Sequence, residues 1–221
     1  MAVIRRATPF LQRWKKKING LLYPQAPEPP FDFSVQIGDP ILRQKAARVK
    51  PEDIRSEEIQ KVLITMHDVL KRNQLCGLAA PQVGVPLQIF VTAFSIKQME
   101  RFSTEEIQEQ RIRPWPFKVF INPELVVEDS ASIVDVEGCL SVQGFQAEVP
   151  RATKVTVHGL DDSGSPHSWT ASHFAARVAQ HEMDHLNGKL YVDHMDPRTF
   201  QFVLWKYVQT LPRARRLMGG T

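Results

Sequence analysis

Residues His181, Glu182, Met183, Asp184 and His185 form an HExxH run. Histidines four apart share a helix face, so each neutral imidazole can give one nitrogen to the same divalent ion, while Glu182 can reach a water held by that ion. Metal, water and base together are equipment for hydrolysis. The same spacing on a packed helix can also leave two hydrogen-bonded core histidines and no ion, so the pattern needs support from elsewhere in the chain.

Two histidines need a third protein ligand if a fourth position is to stay open for water. Cys139 is the candidate, in the segment Val136-Glu137-Gly138-Cys139-Leu140-Ser141-Val142, where the glycine would let the backbone approach a ligand closely. A thiolate suits zinc or iron(II), although a lone cysteine can equally be a small buried hydrophobe. A further segment, Gly77-Leu78-Ala79-Ala80-Pro81-Gln82-Val83-Gly84, holds one long amide, Gln82, in a tight loop. Such an amide can donate to an oxyanion, or simply to nearby backbone.

Taken together, GLAAPQ, EGCLS and QHEMDH in this order resemble the three signature motifs of the peptide deformylases, which remove the formyl group from N-formylmethionine at protein N-termini. The resemblance spans roughly residues 34 to 209. It implies that Cys139, His181 and His185 bind one divalent ion, natively iron(II) and replaceable by zinc or others. It further implies Glu182 as general acid/base, Gln82 with the Leu140 backbone N–H as oxyanion site, and Glu137 paired with Arg151 to hold the cysteine segment. The expected substrate is the N-formylmethionyl end of nascent polypeptides. Gly77, Phe174, Val178 and Arg177 are the candidates for its pocket, with plain core packing the alternative for Phe174 and Val178 and an acidic neighbour the alternative for Arg177. Two positions depart from the family. Leu75 stands where the first motif usually begins with glycine, which alters the pocket rim, and Gln146 stands where many bacterial members carry a peptide-holding arginine.

Two rival classes share parts of this equipment. A zinc endopeptidase also uses HExxH but takes its third ligand downstream, where Asp193 and His194 are the residues to watch, and it does not explain EGCLS or GLAAPQ. A catalytically silent protein could keep the deformylase fold.

The elements that must position these groups are legible in part. Ser172 offers an N-cap and Asn187-Gly188 an exit for a helix on which Phe174, Val178, His181 and His185 form one buried stripe. From Ser56 to Arg72, Ile59, Val62, Leu63, Met66, Val69 and Leu70 keep the 3.6-residue period of an amphipathic helix. Leu87 to Phe94, Phe117 to Ile121, Ile133 to Val142 and Lys154 to His158 read as strands, and Asp161 to Gly164 as a turn. Residues 97 to 116 form an insertion, either functional or a solvated spacer. Strands at the centre with helices before and after give an α+β class, in agreement with the deformylase fold that the resemblance implies.

Composition bounds the rest. The 221 residues, 43% hydrophobic, suffice for one core, expected over 34 to 209, with an extension at 1 to 33 and a basic tail at 210 to 221. Two cysteines, Cys76 and Cys139, make no disulfide framework, and no apolar run approaches the roughly 18 residues of a membrane span. Of the 28 basic residues, six lie in residues 1 to 22 and four from Lys206 onward, stretches without an acid, which leaves 18 against 24 acidic in 23 to 205. The high pI is therefore no evidence for sequence-specific nucleic-acid binding. The acid-free start, with Arg5, Arg6, Arg13 and Lys15 to Lys17, resembles a transit peptide, mitochondrial in preference to plastid, and the proline-rich Tyr23 to Phe31 reads as an extended linker. Phe202, Trp205 and Val208 suggest a C-terminal helix docked on the domain. Arg213, Arg215 and Arg216 beyond it offer a weak contact with ribosomal RNA or an anionic membrane.

Overall fold

Ser56 opens the first long helix, α1 (Glu57–Arg72), by accepting a hydrogen bond from Ile59 N at 3.3 Å. Glu57 and Glu58 in its first turn and Lys71 and Arg72 in its last suit the helix dipole, and the six apolar residues of the sequence pattern are all buried. The computed structural model describes residues 27–208. After α1 the chain runs through β1 (Gly77–Ala79), a 3₁₀ turn at Ala80–Val83, β2 (Ile89–Phe94), two short helices α2 (Ile96–Met99) and α3 (Thr104–Glu109), and then the long pair β3 (Trp115–Cys139) and β4 (Val142–Leu160). It ends with β5 (Pro166–Ser172), the motif helix α4 (Phe174–Leu186), β6 (Gln201–Phe202) and the short helix α5 (Trp205–Val208). The strands form one antiparallel sheet in the order β1-β2-β3-β4-β5, with β6 added to β4. The class is α+β, as expected. No helix among the described residues is long and apolar enough to cross a membrane.

The core divides around the sheet. One apolar cluster joins α1 to β1 and β2 through Met66, Val69, Leu78, Ile89 and Val91, and a second joins α4 to the sheet through Ala176, Ala179, Phe90, Phe120 and Val157. Helix α4 is thereby pressed onto the strands along most of its length.

Several expectations are corrected by tertiary context. Ser172 does not cap α4: it is the last residue of β5, paired with Lys154, and the chain enters the helix through His173 at φ 52° without a side-chain cap. The first turn is satisfied from outside, with Phe174 N donating to Gln110 O at 3.3 Å. Gln110 belongs to the insertion, whose Phe102 also packs on Phe174 and Phe94, so this segment is part of the fold. The reading of Ile133 to Val142 as one strand fails at its end, because β3 stops at Cys139 and Leu140-Ser141 turns the chain into β4. The docked C-terminal helix is also corrected: Phe202 lies in β6, paired with Phe145, and Trp205 on α5 is 42% exposed. The end of the linker is not merely extended, since Phe31 N donates to Val83 O and its ring lies against Gly84. The basic start and the three tail arginines lie outside the described residues.

Asn187 and Gly188 do end α4. Gly188 has φ 70°, Lys189 N donates back to Asp184 O at 2.8 Å, and a Cβ on Gly188 would lie 2.8 Å from the Arg43 carbonyl oxygen. Left-handed backbone costs an L-residue about 1–2 kcal/mol and the clash adds to it, so Gly188→Ala is expected to lower stability by on the order of 2 kcal/mol. Urea unfolding of the two proteins checks this; equal midpoints would show that the loop of Arg43 yields without cost.

Candidate active site

Cys139 Sγ lies at the end of β3, 3.4 Å from His185 Nε2 on α4. It shares with His181 and His185 a cluster whose donor atoms all fall within 4.8 Å of one another. Glu137 and Cys139 are two apart on a strand, so both face α4. The Glu137 carboxylate accepts His181 Nδ1 at 2.9 Å. An ionised carboxylate can only accept, so the proton sits on Nδ1 and Nε2 is left as the ligand atom. A soft thiolate and two imidazoles with one ring held by a carboxylate fit a zinc or iron(II) ion. Burial by itself would raise the Cys139 thiol, but His185 and His181 outweigh it and hold the group well below its ordinary value, in the ligating form.

Glu137 is the hub beneath the ligands. Arg151 donates to it twice, Nε to Oε1 at 2.8 Å and Nη2 to Oε2 at 3.0 Å, and Arg151 Nη1 reaches Asp184 Oδ2 at 2.7 Å. The expected Glu137–Arg151 pair is thus present. Arg177, for which substrate pocket and acidic neighbour are the two readings, contacts the same hub. Although it borders the cavity, its Nη1 donates to Glu137 Oε1 at 2.8 Å and Val149 O at 2.7 Å, and Nη2 to Ile133 O at 2.8 Å. Burial pushes Glu137 upward, but the hydrogen bonds and charges of Arg151 and His181 overcome this and hold it well below the usual carboxylate range.

The Gln82 loop completes the wall. Gln82, 3% exposed, accepts Ala79 N with Oε1 at 2.9 Å, which turns Nε2 toward the Cys139 end of β3, 3.2 Å from Ser141 Oγ and 3.5 Å from Cys139 Sγ. Gln82, Leu140, Gly77, Phe174, Val178 and Glu182 all border one cavity of about 260 Å³, which Cys139 and His181 also line. Gln146 stands away from that lining, in register with Gly138 and Gln201. Close approach is required at Gly77 rather than at Gly138. A Cβ on Gly77 would fall on the Glu182 carboxylate, 2.7 Å from its Cδ, whereas one on Gly138 would meet nothing nearer than 3.5 Å. Glu182 is 3% exposed and its Oε2 has no hydrogen-bond partner. Burial pushes its carboxyl up to about 7, against the pull of His181 and His185. A carboxyl poised there can exchange a proton near neutral pH.

The endopeptidase arrangement is not built. Asp193 pairs with Arg43 and caps Leu190 N, and His194 Nε2 lies 3.5 Å from Asp184, so neither joins the donor cluster. Sequence reasoning missed Asp184 and Ser141. Asp184 stands three residues after His181 within the motif, so its sharing of the ligand face was available from spacing; Ser141 gave no signal.

Three side chains that could hold a metal ion, a buried carboxyl poised near neutral pH and an amide donor, gathered at one apolar cavity, are the equipment of a metallohydrolase. A family model described as polypeptide deformylase matches residues 34–201, and the chain belongs to that family. It is 42% identical to the mitochondrial peptide deformylase of Homo sapiens over 82% of this chain and 75% of that one. Peptide deformylase 1A, chloroplastic/mitochondrial, of Arabidopsis thaliana is 44% identical, over 76% of this chain and 63% of that one. Among solved structures, a class I type b peptide deformylase from Acinetobacter baumannii with Met-Ala-Ser bound matches at TM-score 0.65 and 29% identity, over 73% of this chain and 96% of that one. The family binds a divalent metal ion.

Removing Glu137 would leave two buried guanidinium groups without their common partner, a change that costs about 3–5 kcal/mol. Glu137→Ala is expected to lose stability on that scale. Glu137→Gln should lose less and should flatten the pH dependence. The folded state prefers the ionised carboxylate, so its contribution is full above the ordinary Glu pKa of about 4.3 and is lost as pH falls toward the depressed folded value. Urea midpoints between pH 6 and pH 3 test this, and parallel profiles for wild type and Glu137→Gln would remove Glu137 as the source.

Proposed function

We propose that this site removes the formyl group from N-formylmethionyl nascent polypeptides, with Cys139, His181 and His185 as the metal ligands and Glu182 as the proton carrier. The observation that carries the reading is the buried Glu182 carboxylate, whose Oε2 has no hydrogen-bond partner, admitted by the missing side chain of Gly77 and bordering the same cavity as Cys139 and His181. Cys139, His181 and His185 would hold a divalent ion, which would supply Lewis acidity to the formyl oxygen and to the attacking water. Glu182 accepts a proton from that water as its oxygen adds to the formyl carbon. Gln82 Nε2 and the Leu140 N–H are the donors for the charge that builds on the formyl oxygen. As the C–N bond breaks, Glu182 returns the proton to the departing nitrogen, and formate and a free amino terminus leave. Phe174, Val178 and Leu75 offer the apolar surface for the methionine side chain.

Thiolate with two imidazoles accepts iron(II) and zinc alike, and the family resemblance favours iron(II) as the native ion. The acid-free basic start and the organellar names of the human and plant relatives support a mitochondrial site of action, with the plastid the alternative. Salt-sensitive attraction of Arg213, Arg215 and Arg216 to ribosomes or an anionic membrane would bring the site to emerging chains.

Anaerobic metal analysis together with formate release from a formyl-Met peptide, beside an unformylated peptide, tests the reaction. Formate without internal cleavage is the expected result; cleavage of the unformylated peptide would select the endopeptidase class, and no turnover with full metal a silent fold. Glu182→Gln should keep the ion and lose roughly 10²-fold or more in turnover. Cys139→Ala should lose the ion itself, and a stoichiometric metal in that variant would refute the ligand set.

A further inference from the structure

A second cavity, about 550 Å³, lies beside the one at the metal ligands. Its apolar wall is formed by Leu70, Ala93, Phe94, Trp115 and Phe117. Two residues, Gln74 and Leu75, border both cavities. Gln74 is exposed and its side-chain oxygen is held by Arg101, so the partition between the two spaces is the half-buried side chain of Leu75, which packs against the α1 core.

The backbone under this partition is fixed from two sides. Leu75 N donates to Leu70 O at 3.0 Å, which ties it to the last turn of α1. Gln98 Nε2, from α2, donates to Leu75 O at 3.1 Å and Gln74 O at 3.0 Å, and Arg101 Nη1 donates to Gln74 O at 3.3 Å. With the main chain held in this way, the size of the side chain at position 75 decides whether the two apolar spaces are separate or joined.

We propose that Leu75 is the specificity-determining partition of the substrate pocket. It closes the metal-side cavity behind a methionine-sized side chain, and without it the second cavity becomes an extension that accepts formylated peptides beginning with larger apolar residues. The proposal rests on the deformylase reading of the site. A methylene in an apolar pocket is worth roughly 10- to 200-fold in discrimination, so trimming the leucine has a readable effect.

The test compares kcat/KM of the metal-loaded enzyme for two tripeptides that differ only in beginning with formyl-Met or formyl-Phe. Leu75→Ala is expected to shift the ratio toward formyl-Phe by about tenfold or more. Ala93→Leu, which narrows the second cavity from β2, should leave the wild-type ratio unchanged and, combined with Leu75→Ala, should reverse the shift. If Leu75→Ala fails to fold, Leu75→Val removes one methylene and should move the ratio the same way by less. An unchanged ratio in a folded, metal-replete Leu75 variant overturns the proposal. So does a tenfold loss of formyl-Met activity in Ala93→Leu alone, since substrate would then already occupy the second cavity. Absence of formate from the wild-type enzyme with either peptide would instead defeat the deformylase reading.

Discussion

A single buried carboxylate sets the conditions for everything around it. Glu137 is 5% exposed and ionised, and a charge in that position is tolerated only if it is paired and fully hydrogen-bonded. Its partners come from two elements: Arg151 from β4, and Arg177 and His181 from α4. Satisfying one group therefore fixes the helix against the hairpin. Register is fixed as well, because a one-residue slip of β3 against β4 would turn Glu137 and Cys139 to the opposite face of the sheet and strand both guanidinium groups. Asp184, on the far side of Arg151, brings the buried charges of the cluster closer to balance.

Ligand geometry follows from that constraint. The hydrogen bond to Glu137 chooses the tautomer of His181, and the two-residue repeat of a strand carries Cys139 to the same face. The turn that begins after Cys139 matters because it presents Ser141, buried and within reach of both the Cys139 sulfur and Gln82 Nε2. Ser34 Oγ lies 2.9 Å from Ser141 Oγ, so the segment leading into the domain steadies this turn too. Three stretches of sequence, around Gln82, Cys139 and His185, thus meet at one sulfur, and no single one of them makes a site.

Local patterns disclosed those parts of the molecule that local physics governs. The six-residue apolar stripe of α1, the Asn187-Gly188 exit of α4 and the HExxH spacing are helix properties, and each was legible. The length of β3 and β4 was not. Val126, Val127, Val134 and Val136 are exposed, so no alternation of polar and apolar residues marks the strand, and its pairing partner alone defines it. Ser172 misled for a similar reason, since a good cap residue was claimed by the β5 ladder and the helix start took its acceptor from Gln110. Arg177 was ambiguous in sequence because an arginine beside a ligand helix can face substrate or a carboxylate. Only the fold brings Glu137 to it, and spacing did hint at this, with Arg177 one turn before His181 on the same face.

The two glutamates at the centre are pushed in opposite directions by their surroundings. Glu137, ringed by donors, is held ionised and acts as a fixed anchor; Glu182, in an apolar and tightly closed position, is driven up to about 7 and keeps one oxygen without a partner. Divergent environments for neighbouring carboxylates separate a structural role from a proton-carrying one. The unpartnered oxygen is unfavourable for folding, and the proposed proton transfer would account for its retention. Gly77 belongs to the same argument. Any side chain at that position would displace the Glu182 carboxylate, so the glycine that opens GLAAPQ and the glutamate inside HExxH are two halves of one steric requirement, although they stand 105 positions apart in the sequence.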